Sequence, residues 1–388
     1  EVWTLKQCID TAQVYNKNLQ INRNNISISE QRKKEAQASL IPKLTANADY
    51  KYFMDLPTQL MPMNIFNPQV PEGQFKEAQF GVPHNINANV QLAMPLYNPQ
   101  VYGAIQNTQI AKELSELQYQ KTEEQVLFDI TTLYYNAQII RHQLDFVDSN
   151  LVNTSKLLQN MQLLKEQLLA KGTDVNKVKL QAEQLSTQRE NVYSKYLQVL
   201  NALKLNMGIS LEQNITVVSE IQQKTTLQSN SGNILDFKII KTQNKLLNSE
   251  LKTLSQSRFL PSLNLIASYG TAGFGYDKNP NDFLKFYPVS FVGIQFSYPL
   301  FNGTVTQRKI NQKKLEISNN ELQSKLISEK NEMEIENAAR QKTIAQNTII
   351  NTENQIDLAQ SIYEQTILQQ KQGTASLTDV LLADNALR

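Results

Sequence analysis

Cysteine is nearly absent: Cys8 is the one thiol in 388 residues, which excludes an intrachain disulfide. Histidine is almost as scarce. His84 and His142 lie far apart in the chain, leaving little for a histidine-based metal site or general base. No run of about 18 apolar residues occurs, which argues against a transmembrane helix. A β-barrel stays open, because barrel strands alternate and never show such a run. Lys and Arg total 38 against 36 Asp and Glu, so the electrostatic footprint of a nucleic-acid partner is missing. The sequence holds no Gly-rich phosphate loop, no Cys pair and no Gly-x-Ser-x-Gly nucleophile motif, so neither enzyme activity nor a cofactor is expected. Met54, Met61 and Met63 are soft donors close in sequence, but loop packing accounts for them better than metal binding. With 12 Gly and 12 Pro, the chain is poor in breakers, which points to long uninterrupted elements.

What the chain does contain, it contains twice. Leu40-Ile41-Pro42-Lys43-Leu44 is matched by Phe259-Leu260-Pro261-Ser262-Leu263, and Met94-Pro95-Leu96-Tyr97-Asn98 by Tyr298-Pro299-Leu300-Phe301-Asn302. Lys171-Gly172-Thr173 is matched by Gln372-Gly373-Thr374. The prolines and glycines of these pairs are 219, 204 and 201 positions apart and keep the same order, the mark of a tandem duplication. The expected division is a first repeat over 1–208, a linker over 209–232 and a second repeat over 233–388.

Each repeat has the same layout. Leu5, Ile9, Ala12, Leu19 and Ile26 fall at helical spacing, predicting a helix from Thr4, its N-cap, to Ser39, closed by Pro42. Leu44 to Tyr52 and Asn85 to Met94 then alternate apolar and polar residues, the period of strands. The second repeat shows the same alternation at Leu263 to Tyr269 and Val292 to Tyr298. Long loops are expected over Met54 to Pro83 and Tyr276 to Pro288. A long helix follows from about Pro99 to Lys171, with a heptad seam from Ile130 through Ala137, Leu144 and Val147 to Met161, the pattern of coiled-coil packing. A return helix is predicted from Asp174 to Met207. In the second repeat the return helix has only some 15 residues after Gly373, and the duplication predicts that it continues beyond Arg388. The opening Glu1-Val2-Trp3 enters a periodic segment at once, so an exported protein is expected here in its mature form.

Four strands with one apolar face cannot close by themselves and would leave open edges. Three copies would supply twelve, within the range of membrane barrels, whereas eight would give an interior filled by side chains. Asn47, Asp49, Asn85, Asn87, Asn89 and Gln295 alternate with the apolar residues and are expected to line a water-filled lumen.

Several of these segments resemble the TolC family of outer-membrane efflux proteins. They are the opening Trp3-Thr4-Leu5-x-x-Cys8-Ile9-x-x-Ala12, the doubled Leu-Pro-x-Leu-like and Pro-Leu-[Tyr/Phe]-Asn strand-edge motifs, and Gly373-Thr374-x-x-x-x-Asp379-Val380-Leu381-x-Ala383. The resemblance implies a mostly α protein with membrane β: an internally duplicated protomer that gives four strands to a shared twelve-stranded trimeric barrel, and long coiled-coil helices to a periplasmic α-barrel. It further implies a homotrimer in outer-membrane lipid that works with a periplasmic adaptor and an inner-membrane pump. The helical tips would be the gate, with Asp379, Asp384 and Asp174 as acidic positions, and Gly172, Thr173, Gly373 and Thr374 would lie where adaptors dock. The sequence departs from the family pattern at Leu382, where an acid is usual, and at Val178 in the first repeat. The competing reading is a periplasmic adaptor or structural coiled-coil scaffold without a pore.

Overall fold

The computed structural model describes residues 2–65, 69, 71–221, 235–276 and 284–387. The second half of the predicted linker, the start of the second repeat at 233 and the centre of the second strand loop lie outside the described residues. Two compact units are formed, and they cut across the two repeats. One comprises Glu1–Asn25, Glu116–Ile240 and Glu321–Arg388, the other Ile26–Ser115 and Lys241–Asn320.

The second unit holds a four-stranded antiparallel sheet of β2 (Lys43–Tyr52), β5 (His84–Tyr97), β7 (Ser262–Gly275) and β8 (Lys285–Ser297), in that order. The predicted strands are all present. In the expected first loop, β3 (Thr58–Pro62) and β4 (Phe75–Gln79) pair with each other as a separate hairpin. Four helical segments follow the strands in the same order. The first is α2 (Lys17–Ala38), which meets α3 (Pro99–Glu166) through Ser29 and Ser115, whose hydroxyls are 2.8 Å apart. In turn α3 meets α5 (Leu235–Phe259), where Lys245 is 2.9 Å from Glu113 and a Cβ on Gly103 would lie 2.2 Å from Thr253. Finally, α5 meets α6 (Val305–Lys371) through Lys313, 2.7 Å from Glu250. These seams are polar. Asn107, Ser249 and Asn320 each bury a side-chain oxygen, and Asn320 its amide nitrogen as well, that meets no hydrogen-bond partner.

The first unit has the apolar core. It gathers α1 (Leu5–Tyr15), the rest of α3, α4 (Gly172–Met207) and a parallel pair of short strands, β1 (Val2–Trp3) and β6 (Thr216–Val217). Along α3 the buried apolar side chains include Ile130, Ala137, Leu144, Val147 and Met161, so the predicted seam is the packed one. On α4 they are Val175, Val178, Leu185, Val192, Tyr196, Leu200, Leu203 and Met207, spaced by threes, fours and sevens as a two-helix seam requires. Thr4 caps α1 as expected: its hydroxyl accepts from the Gln7 amide at 3.3 Å, and the Gln7 side chain accepts from the Thr4 amide at 2.9 Å.

The helix predicted over 4–39 is broken in two at Asn16, whose backbone turns to φ −59° and ψ 126°. Two features cause the break. The Asn16 side chain accepts from the Leu19 amide at 3.1 Å, capping α2, and donates to the Asn206 carbonyl at 2.6 Å. Gly208 ends α4 in the left-handed conformation at φ 77°, so close that a Cβ would lie 2.1 Å from the Tyr15 carbonyl oxygen. Only glycine satisfies both conditions.

Candidate functional site

Two places carry the residues that the sequence singled out: one face of the sheet and the tips of the helical hairpins.

On the sheet, register puts Asn47 opposite Asn89, Asp49 opposite Asn87 and Lys51 opposite Asn85, all on one face. Gln295 is paired with Asn264 on the same side of the sheet. The six predicted polar residues therefore share a face. Asn47 donates to Asn89 at 3.5 Å and Asn87 to Asp49 at 3.3 Å, while Lys51 stands 3.6 Å from the Asp49 carboxylate. The opposite face carries Leu44, Val90, Leu92, Leu265, Val292 and Ile294. The sequence reading missed one thing. That face is mostly polar along β2 and β5, but along β7 and β8 it mixes Asn264, Ser268, Lys285 and Gln295 with Phe274, Tyr287, Val289 and Phe291. Phe274 and Tyr287 are in ring contact with centroids 6.1 Å apart. The signal was present, because β8 is apolar at consecutive positions rather than alternate ones, the pattern of a strand covered on both faces.

At the tips, local hydrogen bonding aligns the two repeats differently from the Gly-Thr match. The Leu168 amide donates to Lys165 and that of Leu169 to Leu164; the Gly373 amide donates to Gln370 and that of Thr374 to Gln369. The two turns superpose at a spacing of 205 residues, not 201. Leu168 therefore occupies the place of Gly373, and both are left-handed, with φ 61° and 74°. Gly172 and Thr173 sit in the first turn of α4, whereas Gly373 and Thr374 close the last turn of α6, so the two Gly-Thr pairs are not equivalent. The equivalent triplets are Thr173-Asp174-Val175 and Thr378-Asp379-Val380. A capping-box pattern, Ser376-x-x-Asp379, was also readable in the sequence.

The geometry gives each acid a definite setting. Asp379 stands in the first turn of α7 (Leu377–Leu387) and accepts from the Ser376 amide at 2.8 Å and the Ser376 hydroxyl at 2.7 Å. Those bonds, the hydroxyl first and the amide second, lower its pKa below the usual carboxylate range. Asp174 holds the same place on α4, where Lys171 at the N-cap offers no side-chain bond and Lys177 is 3.9 Å away. Asp384 accepts from Gln181 on α4 at 3.4 Å, and Leu381 packs against Met161, Val175 and Val178, so α7 is seated on the first hairpin. Among the described residues no group of three or more His, Cys, Asp or Glu side chains could hold a metal ion, and no helix is long and apolar enough to cross a membrane.

No protein-family model matches the sequence, and no curated protein matches it. Solved structures do. The outer membrane protein VceC of Vibrio cholerae aligns over 99% of this chain and 89% of its own, with 15% identity and a TM-score of 0.73. The CmeC outer membrane channel of Campylobacter jejuni aligns over 99% and 80%, with 15% identity and a TM-score of 0.74. The MtrE outer membrane channel of Neisseria gonorrhoeae, in its open state, aligns over 99% and 83%, with 13% identity and a TM-score of 0.71. The chain has the fold of these outer-membrane channels, mostly helical with some sheet.

Proposed function

We propose that this chain, with the fold of an outer-membrane channel, is the protomer of a trimeric export duct through the outer membrane. The observation that carries the reading is the four-stranded sheet itself. Its outer strands, β2 and β8, have no strand partner beyond them among the described residues, and one face is apolar along all four strands. An open sheet of that kind is unstable in water and in lipid, because its edge amides and carbonyls must be paired. Three copies joined edge to edge close a twelve-stranded barrel with the apolar face to lipid, and put Asn47, Asp49, Asn85, Asn87, Asn89 and Gln295 on the lumen side. The helices carried below the strands in the same order would close a tunnel in the periplasm.

In this reading the duct does no chemistry and takes its energy from an inner-membrane pump through a periplasmic adaptor. The tips are the gate. Since Asp174 and Asp379 occupy equivalent places, a threefold assembly would hold six carboxylates at one level, with Asp384 nearby. Opening would swing the return helices outward.

The test is the protein mass of the detergent-extracted particle, by light scattering with the detergent subtracted. A mass near three times 44.2 kDa, with ion conductance across a planar bilayer, is the expected result. A stable detergent-free monomer that conducts nothing would remove the barrel and leave the adaptor or scaffold reading. In a Cys8→Ser background, cysteines at 174 and 379 joined by a short crosslinker should stop export reversibly.

A further inference from the structure

We propose that the first hairpin tip alone carries an apolar anchor, Leu168 and Leu169, that inserts into a carboxylate-rimmed apolar socket on the periplasmic adaptor, while the second tip carries none. The proposal rests on the export-channel reading and adds to it an inequality between the two tips.

The observation is a side chain held where it gains nothing within its own chain. Leu168 sits at φ 61°, a conformation that a Cβ disfavours sterically and that glycine adopts freely. The second repeat makes the same turn, with the same hydrogen bonds, using Gly373. The strain at Leu168 is therefore not required by the turn. Packing does not offset it either, since Leu168 is 93% exposed and Leu169 beside it 72%. Strain at an exposed apolar residue is expected where a partner gives the return.

The neighbourhood extends the contrast. Leu163 and Leu164 are exposed in the last turn before Leu168. At the second tip the four corresponding places are Leu368, Gln369, Gly373 and Thr374, so three of the four leucines are replaced by polar residues or glycine. Charge differs too. The first tip has Lys165, Lys171, Lys177 and Lys179 against Glu166 and Asp174; the second has Lys371 against Asp379 and Asp384. The apolar knob is thus set in a basic surround and the bare tip in an acidic one. A socket rimmed by Asp and Glu fits the first and is repelled by the second. In a threefold ring, three anchoring tips would alternate with three plain ones, so adaptor subunits would fall into two classes of unequal affinity.

The experiment uses the full chain in detergent, with each periplasmic adaptor of the host cell purified and immobilised in turn. Vesicles of 70% phosphatidylethanolamine and 30% phosphatidylglycerol serve as a lipid surface. Leu168→Gly copies the Gly373 turn and removes the knob without disturbing the backbone. Leu168→Asn does the same with a second residue that tolerates this conformation. Both should weaken binding to one adaptor at least tenfold with no loss of thermal stability, while Gln369→Ala on the second tip changes it less than twofold. Unchanged adaptor binding in both Leu168 variants would overturn the proposal. So would an equal loss from Gln369→Ala, or a loss confined to vesicle binding. If the unaltered chain binds no adaptor, the anchor falls, and the conductance of the same particle decides whether the channel reading falls with it.

Discussion

The helices α3 and α6 hold the same place in the two repeats and are 68 and 67 residues long, but their surroundings are very unequal. Over 116–166, α3 buries Val126, Ile130, Tyr134, Ala137, Leu144, Val147 and Met161, the first four in a core shared with α1 and α4. Over 321–371, α6 has no buried residue, although Met333, Ile335, Ile344, Ile349, Ile350, Ile356 and Leu358 are spread along it. The same kind of amphipathic sequence is a core in one case and a surface in the other. Helical stability in proteins comes mainly from the face that is covered. What differs is therefore the neighbour, and α6 is a helix whose apolar residues become useful only against another chain or segment.

That contrast can be broken or sharpened by substitution. Ile130→Ala, at a fully buried position, should cost about 2–5 kcal/mol, seen as a lower urea midpoint with unchanged slope. Ile350→Ala, more than half exposed, should stay within about 0.5 kcal/mol in the single chain, and should weaken the trimer instead. Equal effects on the single chain would mean that α6 is covered after all. Next in size is Gly208→Ala, expected to cost roughly 1–3 kcal/mol from backbone strain plus the clash with Tyr15. Gly373→Ala shares only the strain, and should cost about 1 kcal/mol.

Smaller effects test the polar seams against the apolar core. Asn320→Leu removes two unpartnered buried polar atoms from α6 and should be neutral or stabilising by about 1 kcal/mol, read as a rise in Tm. Burial in the α1 core raises the Cys8 thiol from an ordinary 9.0 to about 11, opposed weakly by a backbone hydrogen bond. The folded chain then holds a proton that the unfolded chain loses first. Stability should fall as pH rises from about 9 to about 11, and Cys8→Ala should flatten that fall. Smallest is Lys171→Ser, which supplies the N-cap hydroxyl that α7 has at Ser376. It should slow hydrogen exchange in the first turn of α4 by the equivalent of about 0.5–1 kcal/mol.

Much of this was readable in the residues. The strands were legible because alternation is a local signal, and the α3 seam because heptads repeat. The break at Asn16 was not, since its cause is the Asn206 carbonyl and Gly208, some 190 positions away. The tip alignment misled because Gly172-Thr173 and Gly373-Thr374 are alike as letters while one pair starts a helix and the other ends one. Thr-Asp-Val, the less conspicuous repeat, was the correct guide. The β3–β4 hairpin lacks alternation and joins through a long turn, so nothing local announced it. The acids at the tips were legible as residues, but the capping bonds that hold Asp379 required the Ser376 pattern to be weighed beside the glycine.

The strand order has a further consequence, for the route by which the chain folds. The pairs β2–β5 and β7–β8 join strands within one repeat, but the sheet is made one piece by β5 and β7, where Asn89 meets Gly270, 181 positions later. Closing so long a loop is slow, and the two hairpins must wait with open edges until it happens. During synthesis β2 and β5 would have to stay unpaired with foreign strands until β7 had been made. Asn85, Asn87 and Asn89 keep one face of β5 polar, so less apolar surface is bare during that interval.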